Sequence, residues 1–425
     1  MKILIVTPLF PPQNAVGALR PYTWAKYWGR MGHEVDVMTV DSYGVESGLP
    51  LKLDNVRIYS APIPVLGKLA KKWHSTSNKE ASKKNNPSGK NFLLFLKNLY
   101  RNFIDKTGCI TSVRFPDMRD FWANKMIKKY KNNKYDFIIS TGCPYSVHKI
   151  GLYYKKKNPN LFWIVDWRDL WTQNPYWKGF CIFRPYEKYL EKKIHNKCDL
   201  ITVVSTGLKE NLQKITTTTI EVIENGFDEE DYIDFLKYPK QSFDKFTVVY
   251  TGTIYKGIRD ITPILCAMKE LKEDGVINSE NFQLITAGNV ADLFDDVQKF
   301  GISDMHRHLG VVPRKDALRL IYDSDASILL LGKNNKGILS GKLFEYLSLS
   351  NFIFGVDFSN DDDAGKIIKE ANAGECFSSD VEKIKEMILL KIKEKETKIV
   401  NRKNQEFINH YSRKNQAEKL ISFVC

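Results

Sequence analysis

Along the chain, short strand-like apolar runs alternate with stretches of helical spacing. In the first half the runs are Lys2–Thr7, Glu34–Thr39, Val56–Ser60, Asp136–Ser140, Phe162–Asp166 and Leu200–Val204, with a shorter one at Glu221–Ile223. A helix from about Gly17 to Met31 joins the first two, and Gly32-His33 is its stop signal. The second half restarts the rhythm with strands at Phe246–Tyr250, Phe282–Ala287, Ala326–Leu331 and Phe352–Val356. Helical patterns fill Asp260–Asp274, Arg314–Tyr322, Lys342–Ser348, Val381–Glu394 and Asn404–Phe423. Such alternation predicts parallel sheets built from βαβ units. The breaker-rich turn Glu224–Asp228 and the polar stretch Leu236–Lys245, with Pro239, mark a seam between the halves.

One segment departs from this rhythm. Lys68–Ile104 carries nine Lys and Arg residues and a single acid, Glu80. Its second part places Phe92, Phe95, Leu96, Leu99, Tyr100 and Phe103 on one helical face. A cationic loop followed by an amphipathic helix suits an interfacial membrane element. An insertion helix packed on the first domain fits equally well.

Length turns the two halves into two domains, since 425 residues exceed one ordinary core. The expected boundaries are 1–238, 245–403, and a last helical segment 404–425 that crosses back to the first domain. The net charge of +14 makes some surface strongly basic, which fits nucleic acid, an anionic membrane face or a phosphate-rich ligand. Seven scattered cysteines without a Cys-x-x-Cys pair read as reduced thiols of a cytosolic protein. His306 and His308 lie two apart and read as a solvated loop rather than a metal site. The opening run is broken by Pro8, Pro11 and Pro12 and reads as a buried strand, not a signal peptide. No stretch reaches the roughly 20 apolar residues of a spanning helix, so membrane contact is expected to be peripheral, at the inner face of the cell membrane.

The strongest chemical candidate is Ser340 to Leu347, SGKLFEYL. Ser340 is a natural cap, and Gly341 allows close backbone approach. The first N–H groups of the helix and its positive dipole end then form an anion site, to which Lys342 adds a full charge. Glu345 lies one turn on, where a carboxylate can accept hydrogen bonds from a ribose diol. An ordinary capped helix with Lys342 and Glu345 in solvent fits the octapeptide as well. Asp361-Asp362-Asp363 reads as a solvated loop.

The stretch KLFEYLSLSNFIFGV resembles the donor-site signature of retaining glycosyltransferases with the GT-B fold. MKILIVTPLFPP with Gly17 and Gly32-His33-Glu34-Val35 resembles that family's opening strand, glycine loop and second strand. Phe115-Pro116-Asp117 and Ser140-Thr141-Gly142-Cys143-Pro144 resemble the middle of its first domain. Val165-Asp166-Trp167-Arg168-Asp169-Leu170-Trp171 resembles an element of bacterial capsule and O-antigen transferases of family 4. Glu224-Asn225-Gly226 and Tyr250-Thr251-Gly252-Thr253 resemble the turn before the linker and the first strand and glycine turn of the donor domain. The implied fold is α/β, two Rossmann-like doubly wound domains facing a cleft.

The resemblance implies transfer of a hexosyl or N-acetylhexosaminyl group from a nucleoside diphosphate sugar, with a uridine nucleotide, a saccharide or polyprenyl-diphosphate-linked acceptor, and no metal or nucleic acid. Gly17, Gly252, Thr253, Ser340, Gly341, Leu343 and Glu345 are then donor-site candidates. Lys342, with Lys256 or Arg259, would stabilise the leaving diphosphate. Thr253 stands where many relatives carry arginine, and Gly337 stands where many carry a second, sugar-contacting glutamate. Asp166 and Arg168 are cleft candidates for catalysis, and Arg20, His148 and Asp169 for the acceptor. Trp167 and Trp171 are either stacking platforms or core. A sugar epimerase of the same fold, or a noncatalytic nucleotide or nucleic-acid binding protein, remains an alternative.

Overall fold

The structure is a computed structural model that describes residues 1–13, 15–41, 53–63, 109–110, 114–142, 145–174, 178–254, 257, 259–290, 293–331, 339–399 and 402–424. The segment 68–104, Lys256 and Gly337 lie outside them. The chain forms two compact units. The first holds Met1–Val204, Leu208–Ile223 and Ala417–Cys425; the second holds Ser205–Gly207 and Glu224–Gln416.

The strands, in chain order, are β1 Lys2–Val6, β2 Glu34–Val40, β3 Val56–Ala61, β4 Cys109–Ile110, β5 Arg114–Asp117, β6 Phe137–Thr141, β7 Phe162–Trp167, β8 Leu200–Val203 and β9 Ile220–Val222. They continue with β10 Phe246–Thr251, β11 Phe282–Ala287, β12 His306–His308, β13 Ala326–Leu330, β14 Ile353–Val356 and β15 Gly374–Cys376. The first unit's sheet runs β3-β2-β1-β6-β7-β8-β9, and the second unit's runs β12-β11-β10-β13-β14-β15. Every pairing within both sheets is parallel. The expected α/β class with two doubly wound sheets is therefore observed.

Each sheet is buried on both faces, which is why its central strands read as continuous apolar runs. In β1, Leu4 and Val6 enter one core while Ile3 and Ile5 enter the opposite one. In β10, Val248 and Tyr250 face one core and Val249 the other. Because all strands of a sheet point the same way, the loops after their carboxyl ends gather along one edge, where ligands of such sheets bind.

Three departures from the sequence reading have physical causes. First, His306–His308 is not a loop but the edge strand β12. His306 Nε2 and His308 Nδ1 lie 2.9 and 3.0 Å from the Thr286 hydroxyl, so the two rings share a hydroxyl partner on the neighbouring strand. Edge strands as polar as β12 and β15 carry no apolar run to detect. Second, the predicted helix Asn404–Phe423 is two helices, Gln405–Asn409 and Arg413–Ile421. Between them the Phe227 N–H donates to the Tyr411 carbonyl and the Arg413 N–H to the Phe227 carbonyl, so the backbone pairs with a distant segment instead of with itself. Past this break, Leu420 and Ile421 join the core of the first unit, and Trp28 Nε1 donates to the Ala417 carbonyl at 3.0 Å. Third, the polar stretch Leu236–Lys245 is anchored within the second unit: the Gln241 N–H donates to Asp323 and Lys240 to the Ser324 carbonyl.

A buried ion pair ties the first sheet to its first helix, Val16–Arg30. Asp166, at the end of β7, accepts from Arg20 Nε at 3.1 Å and Nη2 at 2.8 Å, from the Thr141 hydroxyl at 2.5 Å and from the Thr202 hydroxyl at 2.8 Å. Burial alone would raise its carboxyl, but Arg20 and the two hydroxyls outweigh burial and hold it below the usual range. Among the described residues, no helix is long and apolar enough to cross a membrane, and no group of three metal-ligating side chains gathers.

Replacing Asp166 with Ala leaves Arg20 charged and without its carboxylate, a change expected to cost about 3–5 kcal/mol. The measurement is the urea midpoint at unchanged slope, and a loss under about 1 kcal/mol contradicts the assignment. A depressed carboxyl stabilises fully above its ordinary value of about 3.9 and loses that contribution as pH falls through the folded value, so the difference persists at neutral pH.

Candidate active site

In the second unit, the helix Gly341–Leu349 follows β13, as the sequence predicts. The Ser340 hydroxyl accepts from the Lys342 N–H at 3.4 Å, a long capping bond, while the Leu343 N–H donates to the Ser340 carbonyl. The helix is held from both sides. The Tyr346 hydroxyl receives the Thr251 N–H at 3.3 Å and lies 3.1 Å from the Thr251 hydroxyl, pinning the helix to the end of β10. At the other end, Lys403 donates to the carbonyls of Leu347, Ser348 and Ser350, satisfying the negative pole. The Leu343 side chain is fully buried in the core, so it anchors the helix and presents no side chain to a ligand.

The positive end is thereby fixed against the glycine turn after β10. Gly252 has φ +138, and a Cβ there would stand 1.6 Å from Lys342 Nζ. Only a bare backbone lets the ammonium lie where it does. Lys342 Nζ also sits 4.8 Å from the centroid of the Tyr250 ring. Beside it, Arg259 Nη1 donates to the Thr253 carbonyl at 2.8 Å, and the Tyr250 hydroxyl donates to the same carbonyl. Thr253 thus contributes its carbonyl as an anchor for Arg259.

Burial pushes the Lys342 ammonium down to about 8, Arg259 repels it further, and only Glu345 opposes the shift. Among the described residues Lys342 has no ion-pair partner. The Lys342 ammonium, the Arg259 guanidinium and a helix N-terminus therefore converge at one place. That arrangement favours an incoming anion.

Glu345 is not in open solvent. Arg314 bridges it and Asp231, with Nη1 2.5 Å from Glu345 Oε1 and Nη2 2.9 Å from Asp231 Oδ2. Burial would lower the Arg314 guanidinium, but the two carboxylates raise it above its ordinary value. Glu345 Oε2 keeps its lone pairs, since no described residue donates to it. Sequence reading missed Arg314. A cation in the first turn of the helix Arg314–Asp323 opposes the helix dipole, and this is the signal that marks it.

In the first unit, the Arg168 side chain packs against two glycine loops. Its Nη1 donates to the Gly17 carbonyl at 2.5 Å, and a Cβ on Gly17 would stand 2.7 Å from that nitrogen. Asp169 is exposed, yet neighbouring atoms crowd it enough to raise its carboxyl, with Arg168 pulling the other way.

The remaining candidates serve the fold. Asp166 and Arg20 are spent on each other inside the sheet. His148 is fully buried, with Nδ1 2.8 Å from the Ser140 hydroxyl and Nε2 3.2 Å from the Gly142 carbonyl; burial holds it neutral, down to about 3. Trp167 and Trp171 are core residues: Trp171 stacks on Tyr145, and Trp167 Nε1 donates to His195. Asp362 and Asp363 accept from the Ser359 and Gly207 N–H groups rather than facing open solvent.

Residues 100–231 match the family model Glycosyltransferase Family 4. No curated protein sequence matches the chain. Among solved structures, sucrose-phosphate synthase from Thermosynechococcus elongatus has a TM-score of 0.66 at 11% identity, covering 99% of this chain and 98% of that one. WaaG, a glycosyltransferase involved in lipopolysaccharide biosynthesis, has a TM-score of 0.58 at 12% identity, covering 99% of both chains. The lipopolysaccharide outer core galactosyltransferase WaaB has the same score at 11% identity over the whole of both chains. At these identities the structures establish the fold, GT-B. Together with the Family 4 match they support a glycosyltransferase.

In this GT-B chain, Lys342→Met removes a buried charge that Arg259 repels. The variant is expected to melt at a higher temperature than wild type at pH 7. The folded ammonium titrates near 8 and the unfolded one near 10.4, so the unfolded chain holds more protons between these values. Wild-type stability therefore rises with pH across that window and the gap closes. A lower melting temperature for Lys342→Met at pH 7 contradicts the description.

Proposed function

We propose that the protein transfers a hexosyl or N-acetylhexosaminyl group from a UDP-linked sugar to an acceptor hydroxyl, with retention of configuration. The acceptor is a saccharide carried on a polyprenyl diphosphate, and the setting is bacterial surface polysaccharide synthesis at the cytoplasmic side of the membrane. The observation that carries the reading is the Lys342 ammonium lying on bare Gly252 at the start of the Gly341–Leu349 helix. Two analogies support its finer parts. A structure of similar fold, trehalose-6-phosphate from E. coli bound with UDP-2-fluoro glucose, holds a uridine-linked sugar analogue (TM-score 0.59, 9% identity). The names of WaaB and WaaG place those two proteins in lipopolysaccharide work.

In the reaction, the bond from the anomeric carbon to the diphosphate oxygen breaks and a bond to the acceptor oxygen forms. The acceptor proton ends on the departing diphosphate. The carbon passes through an oxocarbenium-like state while negative charge grows on the leaving group. Lys342, Arg259 and the helix N-terminus stabilise that charge, and they do so without reorganising because Tyr346 and Lys403 already hold the helix. Lys256 is a further candidate cation for the same task. Glu345, oriented by Arg314, accepts from the ribose diol through Oε2. No metal is required by this scheme. Arg168 and Asp169 are assigned to the acceptor side.

Thermal shift with UDP and with UDP-sugars tests the donor site. UDP is expected to stabilise wild type, and Lys342→Ala and Gly252→Ala to lose most of that response. A wild type unmoved by any nucleoside diphosphate sinks the proposal. The ribose contact predicts that UDP binds at least about tenfold more tightly than its 2′,3′-dideoxy analogue, as expected for charge-assisted hydrogen bonds. Arg314→Ala should shrink that ratio towards one while retaining the response to the diphosphate; an unchanged ratio removes Arg314 from ribose recognition. If UDP-sugar is converted to an epimer with no glycosylated product, the epimerase alternative replaces transfer.

A further inference from the structure

The loop and helix that follow β7 present a face of unusual composition. The helix Arg184–His195 contains two acids, Glu187 and Glu191, and both point inward. Glu187 pairs with buried Arg114 at 2.8 Å and accepts the Phe115 N–H, while Glu191 accepts from the Thr172 hydroxyl. With its acids spent inside, the helix and the turn before it show only positive charge outward. Lys178, Arg184, Lys188 and Lys192 are exposed, Lys193 is half-buried, and none of the five has an ion-pair partner among the described residues.

Apolar side chains stand among these cations instead of being withdrawn. Ile182 is 70% exposed, Tyr189 59% and Tyr186 43%. Tyr186 packs against Phe115, and Lys193 Nζ lies over the Tyr189 ring, so the aromatic residues are held in place at the surface. An isolated exposed apolar residue needs no explanation, but an aliphatic tip and two tyrosines inside an unneutralised cationic patch do. Tyrosines with apolar bodies and polar tips, an aliphatic residue that can enter the acyl boundary, and cations that meet headgroups together match an anionic bilayer surface. A nucleic acid would use the cations and the rings but gains nothing from Ile182.

We infer that the segment Lys178–Lys193 is a docking face for an anionic membrane surface. Buried Arg114 donates to the Trp171 and Lys178 carbonyls and to Glu187, which fastens this face to the stretch after Arg168 and Asp169, so docking brings the acceptor side of the first unit to the lipid boundary. The docking stands apart from the transferase reading; only the delivery of a lipid-held acceptor rests on it. The segment is separate in sequence from the basic stretch 68–104, which lies outside the described residues.

Co-sedimentation of the full chain with vesicles tests the inference. Wild type is expected to partition onto phosphatidylcholine vesicles containing phosphatidylglycerol, to leave purely phosphatidylcholine vesicles unbound, and to release as salt rises. Lys188→Ala/Lys192→Ala/Lys193→Ala should weaken partition on the order of 100-fold. Ile182→Ser/Tyr189→Ser should weaken it at low salt with all charges intact. Both variants alter surface positions and should keep wild-type melting temperature and UDP response. Wild type that ignores anionic vesicles, or variants that bind them as wild type does, overturn the inference. So does a patch that captures single-stranded DNA but no vesicle. If vesicles bind through this face while no nucleotide stabilises the protein, the surface stands and the proposed function falls.

Discussion

The second unit is organised around the Lys342 ammonium, which rests on the backbone of Gly252 and has no ion-pair partner among the described residues. Burial and Arg259 both disfavour it, and the helix dipole behind it adds to the repulsion. The fold supports this local cost with ordinary stabilising contacts elsewhere. Leu343, Phe344, Tyr346 and Leu347 fill the core on the inner side of the helix. Tyr346 fastens it to β10, and Lys403 completes its last carbonyls. A rigid frame of this kind lets an electrostatic misfit persist in the fold.

The first unit solves a different problem with similar residues. Asp166, Arg20, Arg114, Glu187 and His148 are charged or titratable and buried, and each is matched within the unit. Charges removed from water demand such matching, so they brace strands and loops instead of meeting a ligand. Of the candidates at this sheet's edge, Arg168 is wedged against Gly17 and Gly142, and Asp169 is exposed. The same economy shapes the outer surface. Pairing Glu187 and Glu191 inward leaves the helix Arg184–His195 cationic on its outer side, so an internal brace and an external docking face come from one helix.

Much of the architecture was legible without coordinates. The apolar runs located eleven strands of the two parallel sheets within a residue or so, because central strands buried on both faces are mostly apolar and the edge strands β3 and β9 keep enough apolar residues to show. The edge strands β12 and β15 escaped, since a partner on one side and a hydrophilic neighbourhood on the other leave no run to read. The break at His410–Ser412 escaped too, because its cause is a backbone pairing with Phe227, far away in sequence.

For the site, the sequence by itself determined the residue types and one local geometry: a capped helix start carrying Lys342, with Glu345 a turn further on. Helical spacing is enough for that. Tertiary structure decided which charged residues are available. It laid Lys342 on Gly252 and set Arg259 beside it. It joined Glu345 to Arg314 and sealed Asp166, Arg20 and His148 into the interior. Whether a charge faces water, a partner or another charge of its own sign depends on what the rest of the chain brings within a few ångströms, and spacing along one segment carries no record of that.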